Sequence, residues 1–112
     1  MNKKIYKIGQ EIEFIEDFEI EKAIGKEKVQ VKKGDTAVIT SYGTAIHTKG
    51  KARGMIQCLS GVEAEGYDHT NIAKMVLNRI NCVFDIEGFM MDEDIKRAEI
   101  IDEIEDVLID IL

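Results

Sequence analysis

The spacing of apolar residues changes once along the 112-residue chain, near Tyr67. Before this point, apolar and polar residues alternate in short runs such as Lys28–Lys32, and glycines separate the runs. Alternation with a period of two predicts half-buried β-strands. After it, apolar residues recur every three or four positions, from Ile72 to Phe84 and again from Ala98 to Leu112. This spacing predicts two amphipathic helices.

Strands that precede helices, without alternation between them, are typical of an α+β fold. We predict an N-terminal antiparallel β-rich part over residues 1–66, with five or six strands in a small barrel or a curled sheet. A C-terminal helical pair over residues 67–112 follows, and the helices are expected to drive oligomerisation. The chain is long enough for one compact unit and too short for the large catalytic barrels.

Capping and turn residues set the predicted boundaries. Asp68 or Thr70 is expected to cap the first helix, because short polar side chains accept hydrogen bonds at helix N-termini. The second helix is expected to begin near Asp92–Asp94, where carboxylates suit the positive end of the helix dipole, and to run to the end of the chain. A turn is predicted at Gly25–Lys26, and the segments 44–48 and 52–59 predict a hairpin.

The net charge of −7 is unevenly distributed. Asp85–Leu112 carries 11 acidic and two basic residues, whereas Lys22–Arg53 carries eight basic and two acidic residues. Solvated faces explain this pattern most simply. The alternative is an anion site in the basic middle segment, with the acidic tail exposed or used in assembly. A net acidic chain is not expected to bind nucleic acid or membranes non-specifically.

The sequence also predicts where the protein works. No apolar run approaches the roughly 20 residues that span a bilayer, and the N-terminus lacks the apolar stretch of a signal peptide. Cys58 and Cys82 have no CxxC spacing, which suits free thiols in a reducing compartment. We therefore expect a cytoplasmic protein.

The last predicted helix has more apolar surface than one contact face needs. Its apolar positions cover almost half of the circumference, whereas packing on its own domain needs a stripe of about 100°. The apolar positions are Ala98, Ile100, Ile101, Ile104, Val107, Leu108, Ile111 and Leu112. Two arrangements would cover this surface. The helix lies deep in its own domain, or it pairs with a second copy in a homo-oligomer, most simply a symmetric dimer.

Arg97 projects at the centre of this apolar stripe, and arginine is rarely buried without a partner. An ion pair or a side chain that reaches water would explain it. The functional interpretation is an arginine that holds a phosphate or stacks on a base.

The segment Lys49–Gly54 is the densest basic element. Its glycines would allow a ligand close to the backbone, and Lys51 and Arg53 would supply charge for a phosphate. The spacing matches neither the P-loop nor the dinucleotide fingerprint, and a solvated hairpin tip is the simpler interpretation.

The first predicted helix carries amides on the face opposite its apolar stripe, including Asn78, and Arg79 at the edge of the stripe. Amides can recognise a base or ribose edge, although an ordinary polar face is simpler. Phe84 and Phe89 could stack on a base or belong to the core. The candidate ligand-binding residues are Arg53, Arg97, Arg79, Lys51, Asn78, Phe89 and Phe84.

No pattern in the sequence indicates catalysis, a metal or a cofactor. His47, Cys58, His69 and Cys82 are spaced unlike any usual zinc site. Neither histidine has a nearby serine or cysteine that indicates a catalytic triad. We therefore predict a non-enzymatic protein without a metal or cofactor.

The chain resembles small phage proteins of the first Thoeris anti-defence type over nearly its full length. The segments that carry the resemblance are Lys33–Thr36, Ala52–Ile56, Gly66–Arg79 and Glu103–Leu108. The resemblance implies a sponge that binds glycocyclic ADP-ribose, the signal of a TIR-domain immune enzyme, and holds it intact. It also implies oligomers, up to hexamers, with pockets of Arg, Asn and aromatic side chains between subunits, and separate sites for cyclic oligonucleotides.

Two other functions fit the sequence. The acidic last helix could block a basic groove on a host defence complex, as a protein-binding inhibitor. The basic segment could instead belong to an SH3-like module that binds nucleic acid, with a steep dependence on salt. A hydrolase of the same cyclic nucleotide has no motif to support it.

Overall fold

A computed structural model describes residues 4–21, 27–59 and 61–112 of the chain. Within these residues the strands come first and the helices last, so the fold is α+β. The strands are β1 (Lys4–Ile8), β2 (Glu11–Glu13), β3 (Phe18–Glu21), β4 (Lys28–Val31), β5 (Thr36–Ile39), β6 (Thr44–His47), β7 (Ile56–Cys58) and β8 (Val62–Tyr67). The helices are α1 (His69–Val83), α2 (Ile86–Asp92) and α3 (Arg97–Ile111). The turn predicted at Gly25–Lys26 lies outside the described residues.

The described strands form three sheets and no closed barrel. A four-stranded antiparallel sheet has the order β2-β5-β6-β7, and β3 and β4 form a separate antiparallel pair. Strands β1 and β8 pair in parallel. The predicted antiparallel pairing is confirmed for β2 to β7, whereas β1 and β8 pair in parallel and eight strands are described instead of five or six. Local alternation shows that a strand exists but does not show which distant strand it joins.

The predicted hairpin is present, with a longer connection than expected. Strands β6 and β7 pair antiparallel, with Thr44 opposite Cys58 and Ile46 opposite Ile56. Residues 52–55, predicted as strand, lie in turns between them. Gly54 adopts a positive φ of 87°, and its N–H donates to the carbonyl of His47 at 2.7 Å, which closes the turn.

The chain divides into two compact units, Met1–Tyr67 and Asp68–Leu112, here called the β unit and the helical unit. Ala37, Ile39 and Ala45 form the buried centre of the β unit. Both β5 and β6 contribute to this centre, and β-branched and small residues suit two neighbouring strands that are covered on one face. Partly buried side chains pack around it, namely Tyr6, Ile12, Phe14, Leu59, Val62 and Ala64.

A histidine lies in the interior of the β unit. His47 is 1% exposed, its ring stacks on Phe14 at 5.2 Å, and its Nε2 is hydrogen-bonded to Gln57 Oε1 at 2.8 Å. The Nδ1 atom has no hydrogen-bond partner among the described residues. Gln57 is therefore the polar group that compensates for burial of the imidazole.

Replacement of Gln57 by leucine should lower the free energy of unfolding by about 1–3 kcal/mol, because it leaves both ring nitrogens of His47 buried without a partner. Urea denaturation followed by circular dichroism measures this change. Cys58→Ser, at the exposed neighbouring position, should change the free energy of unfolding by less than about 0.5 kcal/mol. Equal stability of Gln57→Leu and the unmodified chain would contradict the proposed role of the Gln57 hydrogen bond.

The first predicted helix is present as α1, and Asp68 is its N-cap. The Asp68 carboxylate accepts a hydrogen bond from the Asn71 N–H at 3.0 Å. Ala73 and Leu77 of α1 pack with Ile101 of α3 in the core of the helical unit. Among the described residues, no helix is long and apolar enough to cross a membrane.

The predicted second helix is present as α3, but its predicted start near Asp92–Asp94 was wrong, because α3 begins at Arg97. A short helix that was not predicted, α2, precedes it and is separated from α3 at Asp94. Asp94 has a φ of 52°, the left-handed conformation, which an α-helix of L-residues does not continue through. The acidic cluster Asp92–Asp94 therefore ends one helix instead of starting another.

Candidate functional site

The helical unit contains a solvent-open pocket of about 490 Å³ around α2 and the start of α3. Its lining combines one cationic, two anionic and three apolar side chains. The lining residues are Glu87, Met90, Met91, Asp94, Ile95 and Arg97. A pocket of this volume is within the range that accommodates small-molecule ligands.

Helix α2 is positioned by side-chain caps. The Asp85 carboxylate accepts a hydrogen bond from the Gly88 N–H at 3.0 Å. A Cβ atom at Gly88 would lie 2.6 Å from the same carboxylate, so this close contact requires glycine. Asn81 at the end of α1 accepts from the Glu87 N–H at 3.1 Å. The two caps connect α2 to the end of α1 and fix the first turn that carries Glu87.

The C-terminal end of α2 is closed by a Schellman motif with Asp94 in the left-handed position. The Ile95 N–H donates to the Met90 carbonyl at 2.8 Å, and the Asp94 N–H donates to the Met91 carbonyl at 3.4 Å. Glycine and asparagine are the usual residues here, and an aspartate is less favourable. The motif separates α2 from α3, and Asp94 and Arg97 both lie in the pocket lining.

Arg97 is exposed in the first turn of α3, and its Nη2 donates a hydrogen bond to Asn78 Oδ1 on α1. Of the explanations that the sequence left open, the structure agrees with a side chain that reaches water, because the position of Arg97 at the helix start lets the guanidinium reach a polar partner and solvent. The Lys96 N–H donates to the Glu99 carboxylate at 2.7 Å, which caps the same turn. Four guanidinium N–H donors are left for a ligand or water.

The pocket therefore suits a ligand with several kinds of group. Arg97 can bind a phosphate or carboxylate by charge-assisted hydrogen bonds. Glu87 and Asp94 can accept hydrogen bonds from hydroxyl or amine groups. Met90 and Met91 offer adaptable apolar contact for a ring system. A simple anion would face two carboxylates and one guanidinium, which disfavours it.

The structure brings together two of the seven predicted ligand-binding residues, Arg97 and Asn78. Phe84 and Phe89 are 64% and 54% exposed, so neither is a core residue, and neither lines the pocket. Arg79 is exposed on α1 and is likewise not in the lining.

Lys51 and Arg53 lie in the connection between β6 and β7, and both are exposed. The glycine beside them has a structural role. A Cβ atom at Gly50, which has a φ of 89°, would lie 2.3 Å from the carboxylate of Asp35. Asp35 is 9% exposed, and its carboxylate also accepts from the Lys32 N–H at 3.0 Å. The Asp35 carboxylate thus occupies the space beside Gly50 in which the sequence analysis expected a ligand.

The sequence analysis missed five of the lining residues: Glu87, Met90, Met91, Asp94 and Ile95. The Asp92–Asp94 cluster was interpreted as the start of a helix, so the sequence analysis predicted neither α2 nor the left-handed turn at Asp94. A consecutive pair of methionines between two acidic groups was the signal available, but methionine more often fills a core.

No family model, curated protein or solved structure matches the chain. The resemblance to the Thoeris anti-defence proteins is therefore still a prediction, and the function is argued from the site.

Replacement of Asp94 by glycine should raise the free energy of unfolding by up to about 1 kcal/mol, because glycine adopts the left-handed conformation without a Cβ clash. Urea denaturation measures the change. Asp92→Gly is the matched control, since Asp92 is helical and glycine there should lower stability by up to about 1 kcal/mol. Equal destabilisation by both substitutions would contradict the left-handed turn.

Proposed function

We propose that this chain binds and sequesters a cyclic ADP-ribose-type immune signal, glycocyclic ADP-ribose, without degrading it. Sequestration would block a TIR-based antiviral system in the cytoplasm of an infected bacterial cell. The observation that supports this best is Arg97, held by Asn78 at the wall of a pocket that also contains carboxylates and methionines.

The phosphates of such a ligand fit Arg97. Each charge-assisted hydrogen bond contributes about 1.5–3 kcal/mol, and planar guanidinium groups bind phosphate oxygens in pairs. The hydrogen bond to Asn78 restrains the arginine before the ligand arrives. Less side-chain freedom is then lost on binding.

The ribose and base fit the other lining groups. Ribose hydroxyls can donate to the carboxylates of Glu87 and Asp94. A base can contact the thioether side chains of Met90 and Met91. A sponge with nanomolar affinity needs about −12 kcal/mol in total, so several of these groups must act together.

Binding without turnover is part of the proposal. The described lining contains two carboxylic acid residues, Glu87 and Asp94, and no hydroxyl, thiol or imidazole group. Carboxylates can act as nucleophiles or general bases, so recovery of the intact ligand is the result that the experiment must show. The predicted homo-oligomer is not required for this proposal and stays a prediction.

Capture and release tests the proposal. Purified protein is mixed with lysate from cells that express an active TIR enzyme, separated by filtration and denatured by heat, and the released solution is analysed by mass spectrometry. We expect the intact cyclic isomer in the released fraction and its depletion from the lysate. Appearance of linear ADP-ribose would show hydrolysis, and an unchanged lysate would show that this signal is not the ligand.

The residue assignment has its own test. Arg97→Ala should weaken binding of the purified cyclic isomer at least about tenfold in calorimetry, because one charged hydrogen-bonding group is lost. Lys74→Ala is the matched control, since Lys74 is an exposed cation of α1 that does not line the pocket. Equal affinity of both variants would place the ligand elsewhere.

A further inference from the structure

Helices α1 and α3 run antiparallel, and side-chain contacts fix their register. Thr70 donates to Glu105 at 2.9 Å near one end of the pair, and Arg97 donates to Asn78 near the other. The core between them takes Ala73 and Leu77 from α1. From α3 it takes Ile101, with Ile100, Ile104 and Leu108 partly buried beside it.

Both helices carry further apolar side chains that this core leaves exposed. On α1, Val76, Ile80 and Val83 are 38%, 37% and 64% exposed. On α3, Val107 and Ile111 are 56% and 74% exposed. Their spacings of three and four residues place each group in one stripe along its helix.

The two stripes lie on the same side of the helix pair. Successive residues of an α-helix are about 100° apart around its axis. On both helices, the exposed stripe is displaced around the axis in the same direction, against the order of increasing residue number, from the residues that face the other helix. When two antiparallel helices are viewed from one end, residue numbers increase clockwise around one axis and anticlockwise around the other. Similar displacements from the two facing surfaces therefore put both stripes on the same side of the pair. The stripes therefore lie on one side of the pair, here called the apolar face. The register places the α1 stripe beside the start of α3 and the α3 stripe beside the start of α1, with half-buried Ile72, Ile100 and Ile104 between them.

Carboxylates border the apolar face along α3. Glu103, Asp106 and Asp110 are exposed and follow one another at spacings of three and four residues. Among the residues that the structure describes, none of the three carboxylates makes a hydrogen bond or an ion pair. Like charges at this spacing destabilise a helix. Acidic groups in a last turn also oppose the helix dipole, and no basic residue offsets them there.

This charge argues for one kind of occupant. The helical unit carries 12 acidic and four basic residues, a net charge of −8. Arg79 is an exposed basic residue beside the α1 stripe, whereas the α3 border is acidic. A second copy of the chain would bring two units of net charge −8 together, and a partner with lysines and arginines would instead neutralise the α3 carboxylates. An exposed apolar surface on two packed helices is typical of a surface that binds an amphipathic helix.

We propose that the apolar face binds a basic amphipathic helix of a partner protein. The apolar side of that helix would cover Val76, Ile80 and Val107, and its lysines or arginines would contact the carboxylates of α3. This proposal does not rest on the sequestration function, because Arg97 and the pocket residues are not part of the face.

A designed peptide of about 18 residues, with leucines on one side and lysines on the other, is the probe. Its binding to the full chain is measured by fluorescence anisotropy. A peptide with glutamates in place of the lysines and a scrambled basic peptide are the controls. We expect the amphipathic basic peptide to bind at least about tenfold more tightly than either control, with affinity falling as salt rises from about 50 to 500 mM.

Variants of the chain locate the contact. Val107→Ser/Ile111→Ser and, separately, Glu103→Gln/Asp110→Asn should each weaken peptide binding at least about tenfold. Asp92→Asn/Glu93→Gln removes the same charge from the end of α2, which contributes no residue to the face, and should weaken binding less than about twofold. Circular dichroism checks that each variant keeps its helices.

Three outcomes would overturn the proposal. The acidic or scrambled peptide could bind as tightly as the basic one, or the α3 variants could bind the basic peptide unchanged. Light scattering could also show a dimer that Val107→Ser/Ile111→Ser dissociates, which would make the face a contact between copies of this chain. Binding of the cyclic isomer is measured on the same variants. Unchanged binding of the isomer would show that failure of the docking proposal leaves the sequestration proposal intact.

Discussion

The left-handed turn at Asp94 is the constraint on which the helical unit depends. It ends α2, and α3 starts three residues later and packs antiparallel to α1. Arg97 at the start of α3 is then within hydrogen-bonding distance of Asn78, and Glu87 and Asp94 lie in the same pocket lining. Core packing and the candidate site thus depend on one unfavourable backbone conformation, which the hydrogen bonds of the Schellman motif compensate.

The β unit also contains buried polar side chains, those of Asp35 and His47. His47 is buried against Phe14 and depends on Gln57, and Asp35 is covered by the connection that contains Gly50. Such groups are tolerated only with a partner, because burial removes their hydration. They make the arrangement of β5, β6 and β7 more specific than apolar contacts alone would.

The helical unit offers two chemically different surfaces. The pocket combines a guanidinium, carboxylates and thioethers in about 490 Å³, which suits a small ligand with several kinds of polar group. The apolar face of α1 and α3 is exposed and is bordered by carboxylates on α3 and by Arg79 on α1, and the net charge of the helical unit suits a basic helix. The two proposals use different residues, so one chain could bind a small molecule and a protein, and each proposal stands or fails independently.

The sequence by itself determined the order of strands and helices, the hairpin of β6 and β7 and the cap at Asp68. These features depend on periodicity and on neighbours a few residues apart. Only the tertiary structure decided the parallel pairing of β1 with β8, the break at Asp94 and the partner of Arg97. Each depends on contacts between segments distant in sequence, or on a backbone conformation that hydrogen bonds impose against the preference of the residue.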